Sequence, residues 1–183
     1  TTYTGSDGIT LTGTNFTNSG VRSIATGDNN GEIKAITVDT EYVKGNNNVG
    51  GIVGYNAKGS VIGINSYNTT ITGTGRAGGI VGYLYSGTIK EVNSNANITS
   101  TGQVGGITGA SELSGNNIIS VIYNGNLTNN NREETGAGGL VSWVENPITI
   151  SGVVESANIT AKYVAKALRA DNFSSSSINV YAL

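Results

Sequence analysis

The chain has 183 residues, a formal net charge of −2, 28 Gly, one Pro, and no Cys, His or Met. The length suits one domain with a real core, and the slight negative charge removes the basic footprint of a nucleic-acid binder. Without Cys or His, disulfides, thiolate metal sites, zinc-hydrolase centres and Ser-His-Asp triads are excluded.

Charged residues make up 12% of the chain, about half the usual share of roughly 25%. The apolar residues are mostly Ile, Val and Ala, and Asn, Thr and Ser fill much of the rest. This composition argues against disorder and for sheet. No apolar run reaches the length of a membrane-spanning helix. A chain that begins at Thr1 and lacks Met reads as a mature form or a piece of a longer protein.

Residues 1–20 read as an N-terminal flank or cap, with strand-like alternation in Ile9, Thr10, Leu11 and Thr12. Repeats then occupy residues 21–170. Their first positions are Val21, Val49, Ala77, Val104, Ala137 and Val164, at intervals of 28, 28, 27, 33 and 27. The unit is written "VGGIVGY" from Val49, "AGGIVGY" from Ala77, "VGGITGA" from Val104 and "AGGLVSW" from Ala137. A second column, Gly31, Gly59, Gly87 and Gly115, recurs at intervals of 28 and precedes apolar pairs three residues apart: Ile33/Ile36, Val61/Ile64, Ile89/Val92, Ile119/Ile122 and Ile150/Val153. A third column is Val43, Ile71, Ile98, Leu127 and Ile159.

Three strand-like runs in a fixed order, repeated along the chain, predict an all-β parallel β-helix, a β-solenoid. The expectation is about six coils of 27–28 residues, three short strands per coil and right-handed winding. Counterparts then stack as ladders: Ile24, Ile52, Ile80, Ile107 and Leu140 in one, Ile71, Ile98, Leu127 and Ile159 in another. The Gly pair reads as a corner, because Val49 and Ile52 are three apart and strict alternation cannot bury both. Positive φ at Gly50 or Gly51 is the expected means. "AKYVAKALRA" (Ala161 to Ala170) fits a helical face, but the register asks for a strand at Val164 to Leu168. Residues 171–183 end in a strand-like "SSINVYAL". The whole is one solenoid domain.

The four "GGIVGY"-like units resemble the GLUG repeat, found in bacterial surface adhesins and in non-catalytic parts of certain immunoglobulin A peptidases. The likeness covers Val49 to about Trp143 and is weak in the flanks. It implies a β-solenoid acting as an extracellular stalk or adhesive module, and it carries no catalytic residue to transfer.

Tyr55, Tyr83 and Trp143 recur at one corner, with Ala110 breaking the row. Aromatic faces can stack sugars, but the repeat spacing favours ring packing that closes each corner. Thr70, Asn97, Asn126 and Asn158 precede the third column, and Thr72, Thr99, Thr128 and Thr160 follow it. Two such rows could face ice or a glycan; cross-strand ladders on a solvated face are the stronger reading. The same pattern writes N-x-[ST] sequons at Asn97, Asn126 and Asn158, by-products of the repeat in a bacterial protein and glycan acceptors in a eukaryotic secreted one.

The carboxylates are scattered, and Glu32, Glu91 and Glu155 form no column. No catalytic, cofactor-binding or metal-binding residue is expected. The fourth interval is longer, mostly in "TNNNREETGA", where Arg132, Glu133 and Glu134 form a candidate ligand or partner loop.

The favoured reading is a non-enzymatic structural or adhesive module at a bacterial cell surface or in the extracellular medium. A fibre subunit pairing end to end with its own copies through the terminal strands is a second reading, and a glycan-binding module a third. The partners to expect are a second copy of the chain, a host surface protein or a glycan, with no nucleic acid and no membrane insertion.

Overall fold

The computed structural model describes residues 3–4, 10–11, 31–34, 37–39, 42–130, 136–161, 165–166 and 177–179. Among these, every pairing is parallel except that of Tyr3–Thr4 with Thr10–Leu11, and no helix occurs. Coils lie one upon another, so each strand pairs with its counterpart a repeat away, as in a β-solenoid. Four coils are complete, 48–73, 76–100, 104–129 and 137–161. Partial turns flank them: Gly31–Lys34, Thr37–Asp39 and Tyr42–Lys44 on one side, Ala165–Lys166 and Ser177–Asn179 on the other. Among the described residues, the expected six coils are thus four full ones with partial turns. The start of the coil expected from Val21, with Ile24, lies outside the described residues, and Gly31–Lys34, Thr37–Asp39 and Tyr42–Lys44 are its described part.

Each coil contributes four strands, not three, because the Gly pair splits the first expected run in two. The first sheet stacks Asn48–Gly50, Arg76–Gly78, Val104–Gly105, Ala137–Gly138 and Ala165–Lys166. The second stacks Val53–Asn56, Val81–Leu84, Thr108–Ser111 and Val141–Val144. The third holds the long strands Gly59–Tyr67, Gly87–Ser94, Asn116–Tyr123 and Ile148–Glu155, and the fourth runs from Tyr42–Lys44 to Asn158–Ala161. Ser177–Asn179 adds to the third sheet in parallel, beside Thr149–Ser151 of the same chain.

Between the first and second sheets the chain folds back as an arch, and steric room there, not φ, explains the glycines. A Cβ on Gly50, Gly78 or Gly105 would run into the carbonyl oxygen of Val53, Val81 or Thr108 across the arch. One on Gly51, Gly79 or Gly106 would strike the carbonyl of Gly79, Gly106 or Gly139 in the next coil. None of these six has positive φ. The corner itself is knitted to its neighbours by two donors on one acceptor. Ile52 N and Val53 N both donate to Ile80 O (3.1 and 3.0 Å), and Ile80 N and Val81 N to Ile107 O (3.1 and 3.0 Å). Ile107 N and Thr108 N repeat the pattern onto Leu140 O (2.9 and 3.0 Å).

Positive φ appears instead in the middle of the long strands. Gly63 (67°), Glu91 (56°), Ser120 (54°) and Gly152 (60°) share one register position and bend the four long strands at the same level. The bend lets residues three apart both face inward: Val61 with Ile64, Ile89 with Val92, Ile118 with Val121, Ile150 with Val153. The expected pair Ile119/Ile122 is therefore off by one. Ile119 is half-buried and Ile122 exposed, because Asn116, not Gly115, stands in register between Gly87 and Ile148. The Asn116 side chain fills that corner, accepting from Gly87 N (2.7 Å) and donating to Leu84 O (3.1 Å) and Ser111 Oγ (2.8 Å).

The last repeat needs a similar shift. Ala137 pairs with Ala165, so that repeat begins at Ala165 rather than Val164, and Ala165–Lys166 is strand, as the register asked. The core runs the length of the complete coils. Ile80, Ile107 and Leu140 are fully buried and Ile52 nearly so, beside the column of Ile71, Ile98 and Leu127; Ile159 packs against it partly buried. Burying each such side chain stabilises by about 1.5–3 kcal/mol.

Candidate functional site

The fourth sheet's outer rows are ladders. Asn126 Nδ2 donates to Asn97 Oδ1 (2.6 Å) and Asn158 Nδ2 to Asn126 Oδ1 (3.1 Å), so the three exposed sequon amides bond to one another along the stack. Thr72, Thr99 and Thr128 stand in register beside them, half-buried. The loop of Arg132, Glu133 and Glu134 lies outside the described residues.

The aromatic row is on the second sheet. Register places Tyr83 between Tyr55 and Ala110, and Ala110 beside Trp143. Tyr55 is 47% exposed, whereas Tyr83 and Ala110 are buried. Tyr85 joins the pair: Tyr55 and Tyr85 stack with ring planes 30° apart and centroids 5.9 Å apart, while Tyr83 meets Tyr55 at 5.4 Å and Tyr85 edge-on at 6.4 Å. Aromatic pairs at these separations gain about 0.5–1.5 kcal/mol beyond burial. Ring packing at the corner is thus present, and one ring, Tyr55, remains open to solvent.

Arg76 completes the cluster. It begins a first-sheet strand, beside Asn48 in register, and the arch at Gly79–Ile80 brings it back opposite Tyr83. Its guanidinium carbon sits 4.1 Å above the Tyr83 ring centroid, a cation–π contact. Arg76 Nε is buried there without a hydrogen-bond acceptor, and Nη1 reaches Asn48 Oδ1 at 3.5 Å.

Tyr85, Glu112 and Glu145 occupy the same corner in successive coils. Tyr85 N donates to Asn56 O (3.0 Å), Glu112 N to Leu84 O (3.1 Å) and Glu145 N to Ser111 O (2.9 Å). The Tyr55 phenol is held above its ordinary range, first by partial burial, then by Tyr85 and Glu112, with Arg76 pulling the other way. A cation and an anion therefore both act on this exposed ring.

Arg76, Tyr85, Glu112 and Glu145 were legible only as positions: one residue before the repeat start and eight after it. Glu112 and Glu145 recur in two coils only, with Ala57 and Tyr85 at the same position of the other two, so no full column marked them. Among the described residues, no group of three or more Asp or Glu could hold a metal ion, and no helix is long and apolar enough to cross a membrane. No family model, no curated protein and no solved structure matches this chain.

Proposed function

We propose that the protein is a non-enzymatic structural and adhesive module of a secreted or cell-surface bacterial protein. The observation that carries this reading is the unbroken coil-to-coil register. Over four coils, all four sheets stay in register and the inward columns keep aliphatic side chains upon each other, which builds a continuous core along the stack. Each coil adds about 4.8 Å, so the stack spaces and presents its outer faces. The resemblance of the "GGIVGY" units to the GLUG repeat supports placing that stack outside the cell.

The test is attachment. Beads coated with the full chain should adhere to epithelial monolayers or to matrix-coated glass above beads coated with an unrelated folded protein of similar size and charge. Equal attachment of the two would contradict an adhesive role.

A further inference from the structure

We propose that the surface formed by Tyr55, Tyr85, Arg76 and Glu112 binds the pyranose rings of a neutral glycan. The proposal rests on the adhesive reading above and gives it a ligand class.

The platform is Tyr55. A sugar's C–H face packs against an aromatic face by burying apolar area and through weak C–H contacts. Such a platform works best when little ordering remains to be done. Tyr55 meets that condition: it is nearly half exposed yet held by the stacked ring of Tyr85 and the tilted ring of Tyr83.

The polar groups beside it suit hydroxyls. Arg76 is anchored on the Tyr83 ring, and its one side-chain hydrogen bond among the described residues is the 3.5 Å contact with Asn48. No carboxylate pairs with it among those residues, so several of its five N–H donors remain for a ligand. Glu112, half-buried at the corner that Tyr85 occupies one coil earlier, acts on the Tyr55 phenol and offers acceptor oxygens.

Donors and acceptors in the neighbourhood of an exposed aromatic ring, with one charge of each sign, match a polyhydroxylated ligand without net charge. A uronate or sialate would gain Arg76 but would also meet Glu112 and the exposed Glu145 at the next level of the same corner.

The experiment is calorimetric titration of the full chain with neutral gluco-, manno- and galacto-oligosaccharides and with uronate-containing and sialylated ones. Tyr55→Ala and Arg76→Gln are run alongside, with melting curves to show that each remains folded. The expected result is saturable binding of a neutral oligosaccharide, weakened about tenfold or more in each variant. Absence of binding to every neutral glycan would overturn the proposal, as would equal binding by parent and Tyr55→Ala. So would preference for the anionic sugars with loss of binding as salt rises. Beads that still attach while no neutral glycan binds would remove this ligand class and leave the adhesive role standing.

Discussion

Glu155 lies in register with Tyr123, one coil further along the third sheet. Tyr123 is fully buried and donates from its hydroxyl to Ala96 O at 2.8 Å. The Glu155 carboxylate accepts from Ala157 N at 2.8 Å. Ser66 and Ser94 hold the equivalent positions in the preceding coils. Two bulky polar groups thus follow two small ones in the same column. Burial raises the phenol of Tyr123, and Glu155 raises it further.

Glu155 itself is held above the ordinary carboxylate range, chiefly by burial, with the Ala157 N–H opposing the shift. A raised carboxyl favours the protonated form in the folded chain. Its contribution to stability is therefore fully present below the unfolded carboxylate range and is lost as pH rises through the folded value. Urea midpoints measured across mildly acid to neutral pH should fall on this account, and Glu155→Gln should flatten the fall. A variant with the parent's full pH slope would show that Glu155 is not its source.

At Ile80 the side chain is buried between coils, its backbone N donating to Ile107 O and its carbonyl accepting from Ile52 and Val53. Ile80→Asp buries an unpaired carboxyl and should cost several kcal/mol, on the order of 3–5. A melting temperature equal to the parent's would be incompatible with the ladder.

Gly105 and Gly115 separate two reasons for glycine. A methyl group at Gly105 meets the Thr108 carbonyl, whereas one at Gly115 meets nothing within 4 Å and is opposed only by a φ of 83°. Gly115→Ala should cost about 1 kcal/mol, and Gly105→Ala several times more or prevent folding. Comparable losses in chemical denaturation would mean that the arch is not sterically closed.

Glu91 holds a left-handed backbone at φ 56°, in the register position where Gly63 and Gly152 stand in other coils. Its ion pair with Lys90, at 2.9 Å between half-exposed side chains, adds little. Glu91→Gly should leave stability unchanged or raise it by up to about 1 kcal/mol. A clear loss in the denaturation midpoint would contradict the shared bend.

The stacking of Ile52, Ile80 and Ile107 was legible because a ladder demands one residue kind at one spacing. The arch was not legible in its true form. Glycines at Gly50 and Gly51 suggest unusual φ, but their reason is a backbone that passes too close for any Cβ, which only the paired coils reveal. Corners absorb extra residues, so counting from Gly87 to Gly115 slipped by one and misplaced the Ile118/Val121 pair. The bend at Glu91 and Ser120 carries no glycine and left no mark. In the same way, Tyr55 and Tyr83 announced themselves by spacing, while Arg76 reaches them only through the arch and Tyr85 stands just past the Tyr83 strand in one coil alone.

The central claim is the coil-to-coil register, and engineered cysteines in this Cys-free chain test it most directly. Thr72 and Thr99 are register partners in adjacent coils, half-buried on the outer face; Thr128 is one coil further. Adjacent strands lie about 4.8 Å apart, within the Cα separations that a disulfide accepts. Mild oxidation of the folded Thr72→Cys/Thr99→Cys protein should form an intramolecular disulfide, seen by mass spectrometry, while Thr72→Cys/Thr128→Cys should stay reduced. Cross-linking of the distant pair without the adjacent one would contradict the register.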